Sequence, residues 1–307
     1  MLLDDVFSAM DIEVDPFSLC EMAPRGWLAM PKTSFAGLHY VLSGKGSLHL
    51  DRGPSHNLQA GHLALVPAGI GHSLGAADGR FMSFASCRPA QLGLSHDREG
   101  VLDDGHGMTV LCAKIKLQLR GAGQVIDLLR QPLVVPTGHS HLIDLILDEL
   151  ASPGPGSRAQ VKALLIFLII AALRKGTLRK NADTSWLVAL ADLTLWPAIE
   201  AVINDPGADH SVQSLADTVG ISRARFSERF KASFGTGPMS LVRDLRLQHG
   251  ARLLLDGTVG IARVAALCGF SSRSHFSQAF EAHFGTSPGK YARNAGESAT
   301  KNGVDQA

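Results

Sequence analysis

Leu215-Ala216-Asp217-Thr218-Val219-Gly220-Ile221-Ser222 and the following Phe226-Ser227-x-x-Phe230-x-Ala232-x-Phe234-Gly235-Thr236-x-Pro238 are said twice by this chain. The pattern returns as Val264-Ala265, Gly269-Phe270-Ser271 and Phe276-Ser277-x-x-Phe280-x-Ala282-x-Phe284-Gly285-Thr286-x-Pro288. The offset is about fifty residues and grows by one between Ser222 and Phe226, which places one extra residue in or just after the second turn. A duplicated helix-turn-helix is the natural reading. Each copy has a small residue on the inner face of a short helix (Ala216, Ala265), a glycine for the tight turn (Gly220, Gly269), and a serine to cap the next helix (Ser222, Ser271). Phe at i, i+4 and i+8 then buries one stripe of that helix and leaves the opposite face polar. A helix with one free polar face fits a DNA major groove.

With a long helix joining the copies, here Met239 to Leu255, and Gly-Thr-x-Pro closing both, Leu195 to Arg293 resembles the DNA-binding domain of the AraC/XylS transcription regulators. The resemblance implies two recognition helices on one rigid spacer, entering successive major-groove segments about 34 Å apart. By position in the family motif, the groove-facing residues are Arg223, Ala224, Ser227 and Glu228 in the first copy and Arg273, Ser274, Ser277 and Gln278 in the second. Arginine pairs with guanine, glutamine with adenine, and glutamate accepts from cytosine. Serine serves phosphate as readily. Lys231 and Arg225 read as backbone clamps or solvated charges.

Composition agrees with two folded halves. The chain has 307 residues, 45% of them hydrophobic, and a net charge of only +1. The charge is uneven: basic residues outnumber acidic ones from Asp205 to Arg293, with Arg223, Arg225, Arg229 and Lys231 crowding the first recognition helix. Met1 to Met10 carries acidic residues where a secretory signal has basic ones, so export is not expected. The longest apolar run, Ala163 to Leu173, is shorter than the roughly 20 residues of a membrane span. It reads as a buried helix, either the core of a helical hairpin or a dimer seam. Cys20, Cys87, Cys112 and Cys268 have no close pairing or zinc spacing, which fits a reduced, cytoplasmic protein.

From Trp27 to about Leu119, short alternating runs are divided by Gly and Pro: Leu38 to Leu42, Ser47 to Leu50, Leu63 to Val66, Phe81 to Phe84 and Thr109 to Cys112. That rhythm predicts an antiparallel sandwich or jelly roll. Gly61-x5-Pro67-x-Gly69-x2-His72 has the spacing of the second cupin motif, so this half resembles the cupin sensor domains attached to many AraC-family proteins. The first cupin motif is poorly kept. His39 is present, but Val41 and Ser43 or Gly44 stand where further ligands belong.

The fold class expected is therefore α+β: a cupin-like sensor domain over residues 1–136, a helical connector over 137–184 that contains possible dimerisation helices and a polar hinge at Lys175 to Thr184, a double helix-turn-helix domain over 185–293, and a disordered tail over 294–307. The expected function is sequence-specific regulation of transcription, with promoter DNA and an unknown small-molecule effector as partners, a homodimer as the assembly, RNA polymerase as a further contact, and no membrane. Neither a cofactor nor a catalytic residue is expected. His39 and His72 are the effector-pocket candidates. With His49 or His62 they would make a divalent-metal set, but metal chemistry needs three or four convergent ligands. Two alternatives remain open. One is a redox sensor using Cys20 and Cys112, against which stands the plain reading of Cys112 as a small buried residue. The other is a metal-dependent cupin enzyme fused to a regulatory helical domain. Cys268 is assigned to packing.

Overall fold

Apolar and polar residues alternate from residue 10 onward, and the backbone answers with strands. The structure is a computed structural model and describes residues 3–22, 26–75, 85–89, 107–119, 123–139, 141–178 and 185–293. A short helix α1 (Leu3–Ser8) leads into β1 (Met10–Met22), β2 (Trp27–Met30), β3 (Ala36–Leu50), β4 (Ser55–Gln59), β5 (His62–Val66), β6 (His72–Gly75), β7 (Ala85–Pro89), β8 (Met108–Leu119) and β9 (Leu133–Pro136). They form one antiparallel sheet with the order β2-β6-β3-β8-β1-β7; β4 and β5 also pair with β3, and β9 pairs with β5.

The 15-residue β3 makes the sheet curl. Its first half pairs with β5 and its second half with β4 and β6, while its register against β8 slips between Val41 and Ser43. Such a bulge bends the strand and sharpens its twist, so the sheet closes on itself. Val41, Leu48, Leu58, Leu74 and Val110 point into the resulting half-barrel. Leu38, Tyr40, Leu63, Leu65 and Leu111 occupy the other face and pack outward.

The outer face is covered by α2 (His141–Ala151) and α3 (Ser157–Leu178), a hairpin turned by the Pro- and Gly-containing segment between them. Ile146 and Leu150 of α2 and Leu165, Ile169 and Leu173 of α3 are buried there. Full burial of one such side chain stabilises by roughly 1.5–3 kcal/mol. The apolar run is thus the core of a hairpin, as one of its two readings required. The hairpin is apolar on its outer side as well, where Phe167 of α3 and Leu145 of α2 remain about half exposed.

Two expectations change here. The β half starts earlier than Trp27: the 13 residues of β1 form its longest pairing with β8, and a bulge between Val14 and Phe17 takes up Pro16. The polar stretch at Lys175 begins as helix rather than hinge, because α3 runs on to Leu178 with Gly176 still buried. Phe81 to Phe84, the remainder of the hinge and the tail lie outside the described residues.

The C-terminal half is helical: α4 (Ser185–Leu190), α5 (Trp196–Asn204), α6 (Val212–Thr218), α7 (Arg223–Phe234), α8 (Pro238–Asp256), α9 (Ile261–Leu267) and α10 (Arg273–Phe284). One apolar cluster runs from the outer sheet face through α2, α3 and α5 to Leu215, Phe226, Phe230 and Leu241 of the first helix-turn-helix unit. The second unit has a cluster of its own, built on Leu247, Val264, Phe276, Phe280 and Tyr291.

Candidate nucleic-acid interface and sensor site

Each unit is assembled by the same local rules. Ser211 caps α6 in a reciprocal box with Ser214, which satisfies donors the helix leaves open. Gly220 at φ 67° and Gly269 at φ 69° make the turns in the left-handed region that only glycine enters freely. Ser222 then accepts from the Arg225 amide and starts α7. In the second unit the cap is Ser272, accepting from the His275 amide, and not the expected Ser271. The physical reason is the extra residue: it lengthens the turn, so the serine that reaches the first free amides lies one place further on.

Phe226 and Phe230 of α7, and Phe276 and Phe280 of α10, are buried. Their opposite faces are open. Arg223, Ala224, Glu228 and Lys231 are exposed on α7, as are Arg273, Ser274 and Gln278 on α10, while Ser227 and Ser277 are half-buried at the edges. Arg229, one of the crowding cations, is committed elsewhere. Its Nε and Nη2 donate to both carboxylate oxygens of Asp192 at 2.7 and 2.9 Å. Burial pushes the Asp192 pKa up, but Arg229 and the amides of Thr194 and Leu195 outweigh it and hold the carboxyl below its usual range.

The spacer is α8, whose 19 residues give a rod of about 28 Å. Two of its residues fix how the units face one another. Gly250 lies against the Phe276 ring, closer than any side chain would allow. Arg246 donates three hydrogen bonds: Nε to the Pro206 carbonyl at 2.8 Å, Nη2 to Ala208 at 2.7 Å and Nη1 to Gly269 at 3.1 Å. It therefore ties the loop before the first unit to the turn of the second. Sequence reasoning missed this residue because backbone carbonyls leave no signature.

Inside the half-barrel, residues distant in sequence form one hydrogen-bonded chain. His72 Nδ1 lies 3.0 Å from the Ile70 carbonyl, which only accepts, so His72 carries its proton on Nδ1 and accepts on Nε2. His39 Nε2 then donates to His72 Nε2 at 2.8 Å, leaving His39 Nδ1 to accept from the Cys112 thiol at 3.2 Å. His39, His72 and Cys112 are 3, 8 and 8% exposed. Burial, with His72 adding to it, holds His39 well below its ordinary pKa; burial lowers His72 too, and pushes the Cys112 thiol up. The resulting chain is neutral and uses both nitrogens of both rings. His49 faces away, bonded to Ser55 and set against Trp27, and half-exposed His62 pairs with Pro136 at the strand edge. No group of three metal-type side chains gathers among the described residues.

Comparison with known proteins agrees with both halves. A helix-turn-helix domain family matches residues 215–294, and a cupin family matches residues 2–176, more than half of the chain. The chain belongs to the AraC-like transcription regulators. It is 27% identical to the HTH-type transcriptional regulator MtrA of Neisseria gonorrhoeae over 85% of this chain and 87% of that one. It is 24% identical to the RCS-specific transcriptional activator RclR of Escherichia coli over 76% of each. Among solved structures, an AraC-type regulator from Chromobacterium violaceum is 29% identical, with 35% of this chain and 96% of that chain covered at a TM-score of 0.33. The protein is thus a DNA-binding regulator with a cupin-type ligand-binding domain.

In this regulator the cysteines are arranged differently from the expectation. Cys20 is disulfide-bonded, and across β1 and β7 its backbone partner is Cys87. A pairing between residues so far apart in sequence has no spacing signature. Cys112 is a free, buried thiol, set opposite Ser18 rather than Cys20. The expected Cys20 and Cys112 couple is therefore not brought together. Cys268 packs under the second unit as expected, with its thiol pushed up to about 12 by burial.

The half-barrel also holds the second unit directly. The Tyr291 hydroxyl donates to the Gly69 carbonyl at 3.0 Å, Lys32 sits 4.7 Å over the Tyr291 ring, and Arg52 donates to the carbonyl of Gly285, the C-cap of α10. Arg252 of α8 pairs with buried Asp127. Tyr291 was also overlooked, although the repeat contains a signal for it. The matching position in the first copy is Leu241, so a hydroxyl has been added where packing alone asks for none.

Proposed function

We propose that the regulator reads promoter DNA with Arg223, Ala224, Ser227 and Glu228 of α7 and Arg273, Ser274, Ser277 and Gln278 of α10, with Lys231 on phosphate. The observation that carries this reading is the pair of open polar faces on helices whose opposite stripes are buried, joined by a spacer that Arg246 locks. Footprinting of the full chain on DNA upstream of its own and neighbouring genes tests it. Two protected patches about one helical turn apart are expected; a single patch or none overturns it.

Signal transfer follows from the contact between half-barrel and second unit. The His39 and His72 chain ends on the Ile70 carbonyl, and the adjacent Gly69 carbonyl receives Tyr291. An effector that disturbs the chain shifts the turn between β5 and β6, and with it the balance between docked and released arrangements of the second unit. The barrel acts in this reading as a sensor rather than a catalyst, since His39, His72 and Cys112 are already committed to one another. The apolar outer side of α3 around Phe167 is the seam of a homodimer, which raises affinity by tethering two DNA contacts.

The Cys20 disulfide favours a second reading, in which its reduction loosens β7 from β1 and alters DNA affinity. Equal DNA affinity of the oxidised and reduced forms ends this reading.

A further inference from the structure

The two recognition helices share a fold but not a charge. α7 brings Arg223, Arg225, Arg229 and Lys231 against one acid, Glu228, whereas α10 brings Arg273 against Glu281, together with His275 and His283. With the copies aligned on their Phe stripes, Arg223 returns as Arg273, but Arg225 becomes His275, Arg229 becomes Ala279 and Lys231 becomes Glu281. Asp192 already holds Arg229. The first helix therefore offers DNA three cations and the second a single permanent one. Holding phosphate requires positive charge, so the second unit has to draw it from a side chain that is charged only under some conditions.

The two histidines of α10 are placed for different tasks. His283 turns toward the spacer: its Nδ1 lies 3.8 Å from Asp244, and the charges of Arg130 from the sensor half and of Arg243 from α8 also act on it. His275 is exposed in the first turn of the helix, beside Arg273 and Ser274 and one turn before Gln278. Its amide donates to the cap Ser272 at 3.1 Å, and its ring stands edge-on to Phe270 of the turn, with centroids 5.5 Å apart and planes at 78°. The imidazole is thus propped at the entrance of the recognition helix. None of the described ion pairs includes it. The cations placed near it are Arg273, two residues back on α10, and Arg246 of α8, which donates to the Gly269 carbonyl beside Phe270. An anion for the protonated ring therefore has to come from outside the chain.

We infer that His275 is a phosphate-binding residue of the second unit that grips the DNA backbone in its protonated form, so that α10 tightens on DNA as pH falls while α7, with Arg225 at the matching position, does not. The inference rests on the DNA-reading proposal and deepens it. Histidine is the side chain that changes charge between about pH 5 and 8, whereas arginine stays charged throughout. A phosphate in contact favours the charged ring, so the complex takes up a proton that the free protein does not, and by linkage affinity follows pH. If the contact strengthens proton binding about tenfold, DNA is held about fivefold tighter near pH 6 than near pH 8.

The test is anisotropy of a labelled duplex spanning the footprinted site, titrated with the full chain near pH 6 and near pH 8 over a range of salt, with thermal unfolding at both pH values to show that each variant is folded where it is measured. The unmodified chain is expected to bind about fivefold tighter at the lower pH, with a salt slope steeper there by about one. His275→Gln should lose both differences and keep the shallower slope. His275→Arg should show the tighter binding and the steeper slope at both pH values, and His283→Gln should behave as the unmodified chain does. A pH dependence that survives in His275→Gln, one abolished instead by His283→Gln, or a His275→Arg protein that matches His275→Gln near pH 8 overturns the inference. The two failures are distinct: DNA binding that ignores residue 275 sinks only this inference, and no binding at either pH sinks the DNA-reading proposal beneath it.

Discussion

Replacing Arg246 by methionine keeps an unbranched apolar stem in place and removes three donated hydrogen bonds, at 2.8, 3.1 and 2.7 Å, to carbonyls of Pro206, Gly269 and Ala208. A hydrogen bond from a charged donor contributes roughly 1.5–3 kcal/mol when protected from water. The side chain here is only half-buried, and the released carbonyls regain some solvent, so the three together should contribute about 2–4 kcal/mol rather than their sum. Urea unfolding reads this as a lower midpoint at unchanged slope. The same change frees the second unit to reorient on α8, so affinity for a duplex carrying both half-sites should fall by about tenfold or more, while affinity for a duplex carrying only the first should barely change. Arg246→Lys, with one point charge for three carbonyls, should recover a minor part. A stability loss below about 0.5 kcal/mol with both affinities intact would refute the idea that Arg246 locks the units together.

Gly250→Ala should destabilise even though alanine is the better helix former by about 1 kcal/mol: its Cβ would lie 2.8 Å from the buried Phe276 ring, and calorimetry should show a lower Tm. His39, His72, His249 and His283 are all held below 6.5, chiefly by burial. The unfolded chain therefore takes up protons that the folded chain refuses, so stability should be kept above pH 6.5 and lost as pH falls below it; His39→Gln with His72→Gln should flatten that dependence, as Tm against pH will show. Arg273→Ala should cost specific DNA roughly 1–3 kcal/mol and relax one base position, whereas Lys231→Ala should weaken all sequences alike and lower the salt slope by about one. Binding titrations on specific and random duplexes separate the two.

Much of this architecture was legible because it is local. Helix, turn and cap chemistry repeat within the span of each copy, and Gly220, Gly269 and the Phe stripes announce themselves by spacing. The hairpin from Gly61 to His72 was readable for the same reason. What escaped was non-local or anonymous. The cap moved from Ser271 to Ser272 because one inserted residue can be absorbed anywhere in a turn. β1 was hidden by Pro16, which argues against a strand unless a bulge receives it. The Cys112, His39 and His72 chain joins β8, β3 and β6, and only the curl of the sheet brings them together. Arg246 and Tyr291 act on backbone oxygens, which every residue possesses.

Among the described residues the second unit shares no apolar cluster with the half-barrel it rests on; apart from the rod that carries it, the described contacts that hold it include those of Arg52, Lys32 and Tyr291. Dissolved ions compete with the charged contacts among these as they do with phosphate. Raising ionic strength will therefore slacken the mooring of α10 while it strips the helix from nucleic acid. A raw salt titration of the intact regulator mixes the two effects, and the number of phosphates touched emerges only when one titration is subtracted from another that differs by a single lysine.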